Sequence, residues 1–339
     1  MFAPTLVGCG GPPVLPLRHG GNVSQNAVDI DHGIDTIVAK DATKIFIQWW
    51  KPKTKARAAV ILVHGLKDHS NRYAPLAEKL SRDGFAVYAL DLRGHGHSSG
   101  MRVWVESFDD YLDDVGLLAK RVATEVGPTK TFVFGHSMGG AIATLYTLKH
   151  QSELSGLVLS GAALQADVSW VKSVGTKVVG TLAPRAGVFD LDIEKFSRDP
   201  SVVQECKNDP LVYQEGAPAH TAVELLAAID RIGEHMPDVT LPLFVLHGTA
   251  DTITPPAGSK ELHARARSKD KTIILYPGLV HDLVHEPERE KVMDDIEAWL
   301  RERAPQTIAV VPPVESAPRA TQAPVAPVPP PTSPTKATP

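Results

Sequence analysis

Ser137 lies within Gly135-His136-Ser137-Met138-Gly139-Gly140, after an apolar run, Thr131-Phe132-Val133-Phe134, and before a helix-forming run, Ala141 to Tyr146. Strand, Gly-x-Ser-x-Gly, helix is the context in which a serine becomes a nucleophile on a sharp turn. The turn forces strained backbone geometry on the serine, and a Cβ on either flanking glycine would collide with the strand or the helix. It lifts Ser137 Oγ out of the sheet. It also places the N–H groups that follow at the positive end of a helix.

A serine hydroxyl at its ordinary pKa is a poor nucleophile. It needs a base within hydrogen-bond reach and a third group to orient that base. Two later loops offer them. Leu243-Phe244-Val245-Leu246-His247 reads as a strand, and Gly248-Thr249-Ala250-Asp251 as the loop at its carboxyl end. The next strand closes at Leu275-Tyr276, with Pro277-Gly278-Leu279-Val280-His281 as its loop. Each has a plainer alternative. Asp251 reads equally well as the cap of a helix beginning at Pro255 or Pro256. His281 reads also as an exposed loop histidine, and His285, followed by Glu286, competes for its role. The strand ends nearer His281, which favours it.

A developing alkoxide needs two N–H donors. Met138, directly after the serine, supplies one. The run Val60-Ile61-Leu62-Val63-His64-Gly65-Leu66 supplies a strand and then a loop, with the N–H of Leu66 as second donor. Gly65 lets that backbone come close, and His64 reads as a residue that fixes the loop.

These residues need a sheet to hold them. Strands are expected at 44–50, 59–63, 86–90, 131–135, 156–160, 243–247 and 272–276. Helices are expected at 70–82, 108–126, 138–150, 256–268 and 287–303. Several strand runs are continuously apolar, as strands covered on both faces must be. Their alternation with helices predicts an α/β protein with a mostly parallel, doubly wound sheet. The core is expected over 35–164 and 239–303. Between 165 and 238 the alternation breaks, and this segment reads as a helical cap over the carboxyl ends of the strands, where open α/β sheets bind ligands. Residues 1–34 read as a flexible N-terminal segment and 304–339 as a disordered tail, since 305–339 hold 11 of the 28 prolines.

Composition removes other classes. The net charge of −4 over 339 residues gives no electrostatic case for nucleic acid. No run of about 18 apolar residues is present, so no membrane-spanning helix is expected. Cys9 and Cys206 make no disulfide framework. No Cys/His spacing resembles a zinc site, and no metal or other cofactor is expected. Leu6-Val7-Gly8-Cys9 reads like a lipoprotein box, but neither a basic segment nor an apolar stretch fits before it. Two readings stay open: a cytoplasmic or peripherally membrane-associated protein, or one lipid-anchored through Cys9 if its true start lies upstream. Oligomeric state is not legible.

Taken together the residues resemble the monoacylglycerol lipase and lysophospholipase group of the α/β-hydrolase superfamily, labelled serine aminopeptidase S33-like. The resemblance covers about 35–303. It rests on the stretch His64 to Tyr73, on Asp91-Leu92-Arg93-Gly94-His95-Gly96-His97-Ser98, on the elbow around Ser137, on Asn208 to Tyr213, on Gly248 to Asp251 and on His281. It implies the α/β-hydrolase fold with a helical cap, a catalytic triad of Ser137, Asp251 and His281, oxyanion donors at Leu66 and Met138, and cofactor-free hydrolysis of a small lipid ester. Monoacylglycerol is the first expectation; a lysophospholipid or a general carboxylic ester is the alternative, and a non-catalytic binding protein on the same fold the remote one. The turn from Asp91 to Ser98 is structural on this reading. A serine at the elbow argues against an epoxide hydrolase or dehalogenase, which need a carboxylate there. His64, Gly65 and Lys67 are expected beside the substrate. Lys67 departs from the glycine usual in the group, and is expected to narrow the entrance or to place a positive charge there for anionic lipids. Val171, Val174, Val178, Val179 and Leu182 share one helix face and are candidates for an acyl-chain wall, or for cap core.

Overall fold

The computed structural model describes residues 29–166, 182–189 and 191–304. Cys9, the Pro-rich tail and the wall candidates Val171, Val174, Val178 and Val179 lie outside the described residues. Ten strands are described: β1 (Ile30–Val38), β2 (Lys44–Pro52), β3 (Ala58–Val63), β4 (Phe85–Leu90), β5 (Thr131–His136), β6 (Gly156–Ser160), β7 (Gly187–Phe189), β8 (Ala217–Pro218), β9 (Leu243–Gly248) and β10 (Lys271–Tyr276). The longer helices are α1 (Ala74–Arg82), α2 (Phe108–Val126), α3 (Met138–His150), α4 (Pro200–Asn208), α5 (Ala219–His235), α6 (Pro256–Arg265) and α7 (Arg289–Arg303).

Eight strands form one sheet in the order β1-β2-β4-β3-β5-β6-β9-β10. Strand β2 runs against its neighbours, and the other pairs are parallel. The apolar runs are buried on both faces, as their continuity requires. In β3, Ala59, Ile61 and Val63 join one core layer while Ala58, Val60 and Leu62 join the other. The first layer is closed by α2 and α3 through Val115, Leu118, Ile142 and Leu145. The second is closed by α1 and α7 through Leu76, Leu80, Val292 and Ile296. Ser107 and Asp110 cap the start of α2 reciprocally, which fixes where that helix leaves the loop.

Two expectations need correction. The N-terminal segment does not run unstructured to residue 34: β1 begins at Ile30 and pairs along its length with β2. It is an edge strand, so Asp31, His32 and Asp35 face solvent and dilute the apolar pattern that marks an inner strand. Gly33 is required there, because a Cβ would lie 2.2 Å from the Trp49 ring. The second correction is in the cap, which is not helical throughout: β7 and β8 pair antiparallel. The described cap residues are tied to loops at the carboxyl ends of the sheet strands. Tyr213 N–H donates to Lys67 O at 3.0 Å, and Asp282 N–H donates to Phe196 O at 2.8 Å. Thr221 Oγ1 donates to Val103 O at 2.8 Å.

Candidate active site

The elbow between β5 and α3 has the geometry its glycines predict. Ser137 adopts φ 54° and ψ −123°, a left-handed conformation that strains any residue with a Cβ. The strain persists because both flanks are locked. A Cβ on Gly135 would sit 2.4 Å from Gly139 O. One on Gly139 would sit 2.3 Å from both Val63 O and His64 O, at the end of β3. Helix α3 therefore starts pressed against the loop that carries Gly65 and Leu66. Gly139→Ala should destabilise the fold by about 3 kcal/mol and lower the melting temperature by several degrees. A melting temperature unchanged in a thermal scan would contradict this close approach.

Asp251 and His281 lie in the loops that follow the neighbouring parallel strands β9 and β10, 30 residues apart. His281 Nδ1 is 2.9 Å from Asp251 Oδ2. Asp251 does not cap α6, whose N-cap is Pro255 and has no side-chain cap. Instead its Oδ1 accepts from the N–H groups of Ile253 and Thr254 at 2.8 and 3.0 Å. Burial opposes ionisation of Asp251, but His281 and the His247 N–H beside it hold its carboxyl well below the usual range. Burial pushes His281 down, and the Asp251 charge outweighs it, so His281 lies above its ordinary 6.5. His285 is engaged elsewhere: Nδ1 lies 2.8 Å from Asp282 Oδ1, and Nε2 lies 2.8 Å from Arg72 O.

Ser137 and His281 share a small pocket with Gly65, Leu66, Asp68, Arg72, His136, Leu191, Phe196 and Asp282. His64 stands behind it. Its Nε2 accepts from Leu92 N–H at 2.9 Å, so its Nδ1 carries the proton donated to Gly65 O at 2.7 Å. Burial pushes this ring below its ordinary pKa. The same loop places Gly65 against the serine, since a Cβ there would be 3.1 Å from Ser137 Cβ. His136 is likewise held neutral by burial, at about 4, and its ring lies 4.7 Å from that of His281.

Lys67 departs from its expected place. It is 1% exposed with φ 68°, and it is not among the described residues lining this pocket. Its backbone takes the conformation that favours glycine, and the chain turns its side chain inward instead of across an entrance. The charges that do line the pocket are Asp68, Arg72 and Asp282, to which the sequence assigned no role there. Arg72 bridges the two carboxylates, at 3.1 Å to Asp68 and 3.0 Å to Asp282. Despite burial, that cation holds Asp68 at about 2. From the cap, Leu191 and Phe196 reach the pocket, whereas Leu182 is 80% exposed and is no wall. The turn after β4 is occupied by its own structure. Asp91 accepts from Ser70 N and Oγ and from His97 N, and His95 Nδ1 lies 2.9 Å from Arg93 O.

Residues 54–288 match the family model described as Hydrolase_4, serine aminopeptidase S33. The chain belongs to that family. Among its relatives is the monoacylglycerol lipase of Mycolicibacterium smegmatis, 39% identical over 263 residues, which span 76% of this chain and 92% of that lipase. The monoglyceride lipase of Rattus norvegicus is 32% identical over 272 residues, 79% of this chain and 90% of the relative. Among solved structures, the monoacylglycerol lipase of Paleococcus ferrophilus superposes with a TM-score of 0.67 at 29% identity, covering 81% of this chain and 99% of the other. A soluble variant of the Saccharomyces cerevisiae monoglyceride lipase, solved with a substrate analog, gives a TM-score of 0.73 at 21% identity over 83% of this chain and 98% of that one. The fold of this family member is the α/β-hydrolase fold. No described helix is long and apolar enough to cross a membrane.

Proposed function

We propose that the protein is a serine ester hydrolase that cleaves monoacylglycerols through an acyl-enzyme on Ser137. The observation that carries this reading is the 2.9 Å contact of Asp251 Oδ2 with His281 Nδ1, with His281 lining the same small pocket as Ser137. The lipase relatives support the substrate class. Ser137 Oγ attacks the acyl carbon while His281 Nε2 takes its proton, and Asp251 stabilises the imidazolium. The N–H groups of Leu66 and Met138 hold the oxyanion. His281 then protonates the leaving glycerol oxygen and activates the water that frees the fatty acid.

The charges in the pocket favour a neutral head group. Arg72 is already bonded to both Asp68 and Asp282, and Asp282 is also met by His285 Nδ1 at 2.8 Å. A phosphate brought here would have to compete with two carboxylates for Arg72, while glycerol hydroxyls can donate to those carboxylates. A panel of monoacylglycerol, lysophosphatidylcholine and short p-nitrophenyl esters tests this. Monoacylglycerol should exceed the lysophospholipid in kcat/KM by at least about tenfold, or roughly 1.4 kcal/mol. Equal or reversed turnover would move the assignment to the phospholipid.

A further inference from the structure

Asp251 Oδ2 is approached by more than the base of the triad. His247, the fifth residue of β9, is fully buried, and its Nε2 lies 3.1 Å from Oδ2 and 3.0 Å from Thr254 O. A carboxylate and a carbonyl are both acceptors, so Nε2 carries a hydrogen and donates. Its Nδ1 lies 2.7 Å from Ser259 Oγ on α6, a hydroxyl that can donate to it. Thr254 Oγ1 also reaches Oδ2, at 2.8 Å, but its one hydrogen is shared with Gly161 O at 2.9 Å. The result is a line of groups from Ser259 through His247 and Asp251 to His281.

We propose that His247 is a positioning residue for the reaction: anchored by Ser259, it donates to Asp251 Oδ2, the same oxygen that meets His281, and thereby sets how Asp251 acts on His281. This rests on the reading of Ser137, Asp251 and His281 as the triad. The direction of the effect follows from the rest of the carboxylate. Oδ1 is held by two backbone N–H groups, so loss of His247 leaves Asp251 in place. What is lost is a donor that draws charge from Oδ2. A more concentrated charge there stabilises the imidazolium of His281 further. The other groups that face His281 stay as they are: Asp282 and Asp68 raise it, Thr254 Oγ1 lies 3.1 Å from its Nδ1, the neutral His136 ring lies 4.7 Å away and the Phe196 ring 6.0 Å, and Arg72 and His285 act through Asp282.

The experiment uses the full chain and a short p-nitrophenyl ester, a probe that does not depend on the head group. His247→Leu, His247→Gln and Ser259→Ala are compared with the parent across pH, after a melt establishes that each is folded. In His247→Leu, kcat should fall about tenfold with KM within about twofold. The acid limb of kcat/KM, which reports His281 in the free enzyme, should rise by about half a pH unit. His247→Gln keeps an N–H at the position of Nε2 and should return the limb to that of the parent. Ser259→Ala should shift it the same way by less. A folded His247→Leu whose limb stays put overturns the proposal even if its activity drops, because a merely structural role lowers activity without moving a pKa. If His247→Leu does not fold, the limb of Ser259→Ala decides: raised supports the proposal, unmoved overturns it. A parent protein with no Ser137-dependent ester turnover overturns both this inference and the triad beneath it. Turnover of the p-nitrophenyl ester without monoacylglycerol turnover overturns only the substrate.

Discussion

Ser137→Ala should abolish ester turnover, lowering kcat by about a millionfold, while the protein melts within a few degrees of the parent. No other described hydroxyl occupies the turn that the close packing of Gly135 and Gly139 creates, so no neighbouring group takes over the attack. The fold survives because the hydroxyl makes no cap on α3. The strain at φ 54° is paid by any Cβ, and alanine keeps the one serine has. What remains in the variant is binding and oxyanion stabilisation, which still accelerate the reaction over water. Turnover of a p-nitrophenyl ester and labelling by an activated fluorophosphonate measure the loss directly. Labelling of folded Ser137→Ala, or activity within a hundredfold of the parent, would remove Ser137 from the chemistry.

That the elbow could be read in the sequence at all follows from its locality. Strand, turn and helix are adjacent in the chain, and the two glycines are demanded by contacts within a few residues or with one neighbouring loop. The inner strands were legible for a related reason: burial on both faces leaves an unbroken apolar run. Strand β1 was not, because an edge strand is half exposed and its polar residues hide the alternation. The charged lining of the pocket was harder still. Arg72 lies in the 3-10 turn (Ser70–Tyr73) that precedes α1, and Asp282 follows His281 in the loop after β10, so they are 210 residues apart in the chain and meet only when the sheet is assembled. A buried arginine must find carboxylates, but the sequence does not say which. Lys67 shows the opposite failure. A long cation invites a role at an entrance, and only its burial in the folded loop reveals that it turns inward. The role of His247 had a visible trace, since it stands four residues before Asp251 at the end of the same strand. The trace is weak, because a histidine closing an apolar strand serves as readily to satisfy the core.

Asp251→Asn should lower kcat about ten-thousandfold with little change in shape. The amide oxygen can keep the two N–H donors of Ile253 and Thr254. Its NH2 then stands where Oδ2 stood, facing His247 Nε2–H and His281 Nδ1. Against His247 it sets donor to donor. Against His281 it donates to Nδ1 and drives the ring proton to Nε2, the atom that must be free to take the proton of Ser137. The substitution also removes the charge that raises His281, so any residual activity should have its acid limb at lower pH than the parent, the reverse of the shift expected for His247→Leu. Stability gives an independent reading of the same charge. The carboxyl of Asp251 is depressed in the fold, so its contribution is present above the unfolded pKa of about 3.9 and is lost as pH falls below it. Asp251→Asn lacks that contribution at every pH. The gap in unfolding free energy between parent and variant should therefore be full at pH 7 and close on acidification below about pH 4. A gap that stayed constant to pH 3 in denaturant titrations would mean that Asp251 is not held as an anion between the two histidines. Activity of the variant within tenfold of the parent would mean that the imidazole is oriented by something other than Asp251.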